Sequence, residues 1–290
     1  MVAIGSIIMM GVNALIGIAV PILLAWWITR KRRASWRSVL TGAGVFILFA
    51  LILESLVHQV VLKGPLGPAI LGNTLYYALY GGLMAGLFEE TGRFVCMKLV
   101  LRRDPSAPRT AVAYGIGHGG IEMLMIFGVT MVSNLTISVL MNAGMIDTIL
   151  ATVPEANRAQ VAGQFAQLET LGFGTLLTGL WERFSAIVLQ IGLSIIVWTA
   201  VRRGGRWLWL FPAAILLHAL VDAVAVLLMK SAGTLVTEIV VCAVAIAVAA
   251  IGWMLAKKFP DDAAPSAEAA PAPSAEAAPA PEVAQQPEAQ

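Results

Sequence analysis

Gly86-Leu-Phe-Glu-Glu-Thr-Gly-Arg93 is the stretch on which the reading turns. Two adjacent carboxylates and a guanidinium sit inside a run, residues 69–101, that is otherwise apolar enough to cross a bilayer. An ionisable side chain at membrane depth costs about 2.5–3.5 kcal/mol on insertion scales, so such a group marks a functional site by default. Around it, 59% of the 290 residues are hydrophobic and only 12% are charged, against about 25% charged in soluble domains. A globule of this size cannot hide that much apolar surface from water. The apolar runs are continuous and do not alternate, which selects helices over a barrel. The expected fold is all-α: a polytopic helical membrane protein whose first partner is the lipid bilayer, with nucleic acid not expected.

Outward from the motif, about seven transmembrane helices can be drawn. Residues 4–28 form the first, stopped by Arg30-Lys-Arg-Arg33, and 39–62 the second, ending at Lys63-Gly-Pro-Leu-Gly-Pro68. The third is 69–101. The fourth runs from about Thr110 to Met141, longer than the roughly 20 residues a span needs, so it is tilted, broken or projecting. The fifth, sixth and seventh are 175–201, 208–229 and 235–256. The polar loop 142–174 contains Thr152-Val-Pro-Glu155, a capping-box pattern. A short helix with Val161, Phe165 and Leu168 on one side is expected to follow it on the membrane surface. No basic region precedes the first run, so it reads as a retained helix rather than a cleaved signal. Cys96 and Cys242 lie in different runs without metal-site spacing and read as reduced, buried thiols.

Basic residues set the orientation. With the N-terminus outside, the cytoplasmic connections hold thirteen: Arg30, Lys31, Arg32, Arg33, Arg37, Arg102, Arg103, Arg109, Arg202, Arg203, Arg206, Lys257 and Lys258. The opposite side holds Lys63, Arg158 and Lys230. The positive-inside rule therefore gives N-out, C-in in the plasma membrane. Residues 1–258 are the transmembrane domain, with 142–174 as its outer loop. Residues 259–290 are a Pro/Ala/Glu tail in which 264–271 repeats as 272–279, expected to be a disordered cytoplasmic appendage.

Depth brings the ionisable groups together. At 1.5 Å of rise per residue, Glu89 lies about 20 Å from Arg102, His118 about 14 Å and Glu122 about 20 Å from Arg109, and His218 about 18 Å from Arg206. Three spans thus converge on one layer, which holds two of the three histidines in the chain. Tyr114, His118 and Glu122 share a helix face, as do His218 and Asp222, so each acid could orient its histidine. Glu89 and Arg93 are also four apart, and Arg93 can neutralise one carboxylate of the Glu89-Glu90 pair, leaving the other as a general base. Glu54 and His58, another such pair, fall near the outer interface and read as structural. Glu182-Arg183 reads as a helix-packing ion pair. Gly82/Gly86 and Gly115/Gly119 are small-xxx-small spacings suited to close helix contact.

The series Glu89-Glu90-x-x-Arg93, Tyr114 ahead of His118, and His218-x-x-x-Asp222 resembles the motifs of the CAAX-prenyl-endopeptidase and bacteriocin-processing membrane proteases. It is most similar to their YhfC-type branch of intramembrane metalloproteases. The broader family has one more residue between its acids and its arginine, Phe in place of Tyr114, and more often Asn in place of Asp222. The resemblance covers the third to sixth spans. It implies an intramembrane endopeptidase acting on a membrane protein or lipidated peptide, in which Glu89 and His118 activate water, His218 and Asp222 stabilise the oxyanion, and Glu90 and Arg93 set up the first carboxylate. Glu89, His118 and His218 have the right types for three ligands of a catalytic Zn²⁺, with Glu90 as base, but HExxH is absent and metal-free glutamate catalysis is equally open. A proton-coupled transporter built on the same acids, or a non-catalytic membrane partner, are the competing readings.

Overall fold

The computed structural model describes residues 1–104 and 107–259. Among these the chain is helical throughout, without strands. The long elements are α1 (Ile4–Arg30), α2 (Trp36–Lys63), α3 (Thr74–Leu99), α4 (Pro108–Asn142), α5 (Glu155–Thr170), α6 (Phe173–Arg203), α7 (Leu210–Ser231) and α8 (Thr234–Lys258). Among the described residues six helices are long and apolar enough to span a membrane: α1, α2, α4, α6, α8, and α7 with the turn before it. At 26 residues α3 has the length as well, but it carries Glu89, Glu90, Arg93 and Lys98. The chain is an all-α polytopic membrane protein.

The third apolar run does not form one helix. Asn73 interrupts it, accepting hydrogen bonds from the backbone N–H of Leu75 (2.9 Å) and Tyr76 (3.2 Å). That is an N-cap, which Asn favours; a short helix, Gly67–Gly72, precedes it. The long fourth run stays a single helix of 35 residues, loosened at Met123–Gly128 into wide π-helical turns. A second such stretch, Phe46–Glu54, interrupts α2. Wide turns of this kind re-aim the side chains that follow and recur at functional sites.

α6 is the axis of the bundle. In its most apolar 18-residue window 72% is buried, against at most 33% in the other five helices. It packs against α8, α4, α7, α1 and α3, while α3 lies along α7 and the first part of α2 along α4. Glycines permit these approaches. A Cβ on Gly82 would stand 2.2 Å from the Ala219 carbonyl oxygen, and one on Gly86 2.5 Å from that of Ile215. On the opposite side a Cβ on Gly115 would meet the Ile191 Cα at 2.7 Å. Large apolar side chains such as Ile8, Leu15, Leu40, Leu79, Leu216 and Ile246 face outward, a surface that suits lipid.

Three local expectations are corrected. The capping box at Thr152–Glu155 does not form: Thr152 ends a short helix, its hydroxyl donates to the Ile149 carbonyl, and Pro154 precedes α5 without a side-chain cap. The apolar side of α5 is covered by protein, since Phe165 and Leu168 are buried with Met131, Met141 and Leu176, and Val161 packs on them. Cys96 and Cys242 are free but only partly buried. The tail's expectation beyond Phe259 lies outside the described residues.

Candidate active site

α3 delivers its acids to the middle of the bundle, beside α6. Glu89 is 7% exposed, and Glu90, Arg93 and His118 are fully buried. His118 Nε2 stands 2.8 Å from Glu89 Oε2. A carboxylate has no proton to give, so in the ionised state the imidazole N–H donates to it. From α7, His218 donates through Nδ1 to Glu90 Oε1 at 2.9 Å. Arg93 faces the same carboxylate, with Nε 3.4 Å from Glu90 Oε2. Burial of this guanidinium is offset by three further acceptors on α6: the Gln190 carbonyl, the Ser194 hydroxyl and the Gln190 side-chain oxygen. Buried charges persist only when paired and hydrogen-bonded in this way.

Gln190 joins the parts. Its Nε2 donates to Glu89 Oε2 at 3.0 Å and to Glu122 Oε2 at 3.2 Å, while its oxygen accepts from Arg93. Glu122 also accepts from Arg183 (3.2 Å), which pairs with Glu182. Glu89, His118 and Glu122 are tied into one polar layer, but the pairs within it differ from those expected along single helices. His118 bonds Glu89 across the bundle instead of Glu122 on its own face, and His218 bonds Glu90, with Asp222 Oδ2 3.7 Å from its other nitrogen. Arg93 contacts Glu90, three residues away, and not Glu89. Residues one turn apart on a helix point side by side, whereas groups on facing helices point at each other, and here the facing groups are closer.

A cavity of about 400 Å³ opens beside this layer, between α6, α7 and α8. Glu89, Gln190, His218 and Asp222 lie at one end. From there it passes Glu122, Glu182 and Arg183 and continues to Met229, Thr237 and Glu238. These last residues flank the α7–α8 connection, away from the arginine-rich connections. The cavity thus extends away from the arginine-rich half. His118 and Glu90 stand behind its wall.

The sequence from residue 16 to residue 246 matches the model of the YhfC intramembrane metalloprotease family. The chain belongs to that family. It is also 32% identical to the uncharacterized membrane protein YhfC of Bacillus subtilis (strain 168) over 259 residues, which is 89% of this chain and 98% of that protein. No solved structure matches it.

The family's description implies a metal, and the donor chemistry fits one. His218 spends Nδ1 on Glu90 and keeps Nε2 on the cavity side, the division usual for a metal-bound imidazole with a carboxylate behind it. Glu89 lines the same cavity. His118 has an enclosed Nδ1 without a partner, and its Nε2 is engaged by Glu89. Among the described residues no three His, Cys, Asp or Glu side chains are already gathered as a ligand cluster.

In this YhfC-family chain, sequence reasoning passed over Gln190 and Ser194, because uncharged residues in a long apolar run carry no distinguishing signal. Glu54 was placed with the outer interface. Instead it is 9% exposed and within Coulombic reach of Glu89, His218 and Asp222. Its hydrogen bond to His58 (3.1 Å), and that of His58 to Tyr80 (2.8 Å), form as a side-chain chain beside the site. The wide turns of α2 end at Glu54, which is how the backbone differs from the regular helix assumed for the depth estimate.

Proposed function

We propose that this chain is an intramembrane endopeptidase that hydrolyses a peptide bond of a membrane protein or lipidated peptide in the plasma membrane. The supporting observation is the Glu89–His118 contact of 2.8 Å, with Glu89 and His218 together lining one cavity. Glu89 takes the proton of the attacking water, and His118 holds the carboxylate's geometry through Nε2. His218, oriented by Glu90 at Nδ1, presents Nε2 to the developing oxyanion. Asp222, at 3.7 Å, supports that imidazole in its charged form. Arg93 and Gln190 fix Glu90 and Glu89 so that little reorganisation is needed during reaction. In the alternative zinc chemistry Glu89, His118 and His218 would hold the Zn²⁺ in place of the roles just given, with Glu90 as base, and the ion when bound would lower the pKa of a water and polarise a carbonyl. In this reading α3 is a seventh span and the chain lies N-out, C-in.

The test uses detergent-purified full-length protein, a library of membrane-spanning peptides and mass-spectrometric detection of products. Removing a positioned acid–base group costs typically about 10²–10⁴-fold, so Glu89→Gln and His118→Ala should each lower turnover by that factor while remaining folded. Full turnover by either variant would overturn the assignment. Flux through proteoliposomes that vanishes in Glu89→Gln, with no cleavage, would identify a proton-coupled transporter instead.

A further inference from the structure

The end of the cavity remote from Glu89 and His218 has no part in the mechanism above, and it holds an acid the reaction does not use. Glu238, one turn into α8, is only 4% exposed, and its Oε2 has no hydrogen-bond partner. It lines the cavity beside Thr237, in the company of Glu122, Glu182 and Asp222. The cation on this wall is Arg183, and both Glu122 and Glu182 already bond it. Burying a carboxylate that lacks a full set of partners is costly, and such a group is retained most economically where a ligand completes it.

We propose that Glu238 is the specificity determinant of a subsite for a cationic side chain, lysine or arginine, of the polypeptide substrate. This rests on the endopeptidase reading of the same cavity. The chemistry is complementary in both parts. The cavity walls between its two ends carry Ala186, Leu189, Val221, Ala225 and Val226, which accommodate the methylene stem, while Glu238 receives the ammonium or guanidinium. Register sets the spacing. Glu238 lies four residues from the start of α8, about 6 Å, and His218 thirteen from the end of α7, about 20 Å, so roughly 14 Å of axial distance separates them. An extended chain covers about 3.3 Å per residue, and a lysine stem adds about 6 Å. The basic residue therefore falls about two to four positions from the bond that is cut.

Two assays separate this inference from the function on which it rests. The first is binding, independent of cleavage: full-length protein in nanodiscs is titrated with N-acetylated, leucine/alanine-rich spanning peptides in which one lysine is walked along the sequence, each matched by a norleucine twin. For at least one position lysine should bind about tenfold more tightly than norleucine, about 1.4 kcal/mol, and Glu238→Gln should erase the difference. Glu182→Gln, on the same wall but engaged with Arg183, should leave most of it. The second is cleavage of the same peptides: wild-type protein should prefer the lysine peptide, and Glu238→Gln should lose that preference while still cutting the norleucine twin. A lysine advantage absent at every position, or surviving unchanged in Glu238→Gln, overturns the subsite. Binding selectivity that depends on Glu238 without any cleavage upholds the subsite and sinks the protease.

Discussion

Gln190 is the residue whose removal should be most informative, because it touches three functional groups and carries no charge of its own. Replacing it with Leu deletes its donations to Glu89 and Glu122 and strips Arg93 of a side-chain acceptor. Misplacement of a catalytic group by about 1 Å can cost on the order of 10²-fold, so kcat should drop by about that much. KM for the preferred peptide should change little, since Gln190 lies at the reacting end of the cavity. A proportional rise in KM with kcat intact would mean that Gln190 binds substrate instead. Arg93→Lys tests the other half of the network. Lysine keeps the charge but cannot serve Glu90, Ser194 and both Gln190 oxygens from one planar fork. Leaving buried polar groups unpaired costs about 1–3 kcal/mol, to be read as a lower detergent unfolding temperature together with reduced activity. These roles could not be inferred from spacing: i, i+4 arithmetic finds neighbours along one helix, and the hydrogen bonds of His118 and His218 cross between helices.

At the scale of elements, the helices were legible because their lengths are imposed by the bilayer and their ends by Arg, Lys, Gly and Pro. The boundaries at Asn73 and the wide turns of α2 and α4 were not, since a polar cap or an extra residue per turn barely alters an apolar run. The contact of α3 with α7 was half legible. Gly82 and Gly86 announced a close approach, but nothing in the chain named the helix approached. That contact brings Glu90 to His218, and it gives a paired prediction. Gly82→Ala introduces a Cβ 2.2 Å from the Ala219 carbonyl oxygen, whereas a Cβ at the adjacent Gly81 meets nothing within 4 Å. Gly82→Ala should force the helices apart, lowering both the unfolding temperature and turnover. Gly81→Ala should leave activity intact and stabilise slightly, by about 0.5–1 kcal/mol, as alanine replaces glycine in a helix interior. Equal behaviour of the two variants would mean that α3 and α7 do not touch along this face.

For the whole molecule, charge and cavity make linked claims about direction. Thirteen basic residues crowd one end of the bundle, and the positive-inside rule places that end in the cytoplasm. The cavity extends from Glu89 and His218 toward Thr237 and Glu238, at the other end. Substrate and water would then enter from the extracytoplasmic side even though the reacting groups lie deep in the bundle. Accessibility measures this directly. In a background with Cys96 and Cys242 changed to Ala, Thr237→Cys should react in intact cells with a membrane-impermeant maleimide, and Arg206→Cys should react only after the membrane is opened. Both labelled from outside would invert the topology, and an unreactive Thr237→Cys beside a correctly oriented Arg206→Cys would mean the cavity is sealed at that end. Spanning peptides that bind Glu238 should also protect Thr237→Cys from the reagent, because the two side chains line the same cavity. Protection by the lysine peptide and not by its norleucine twin would tie the direction of entry to the charge the cavity selects.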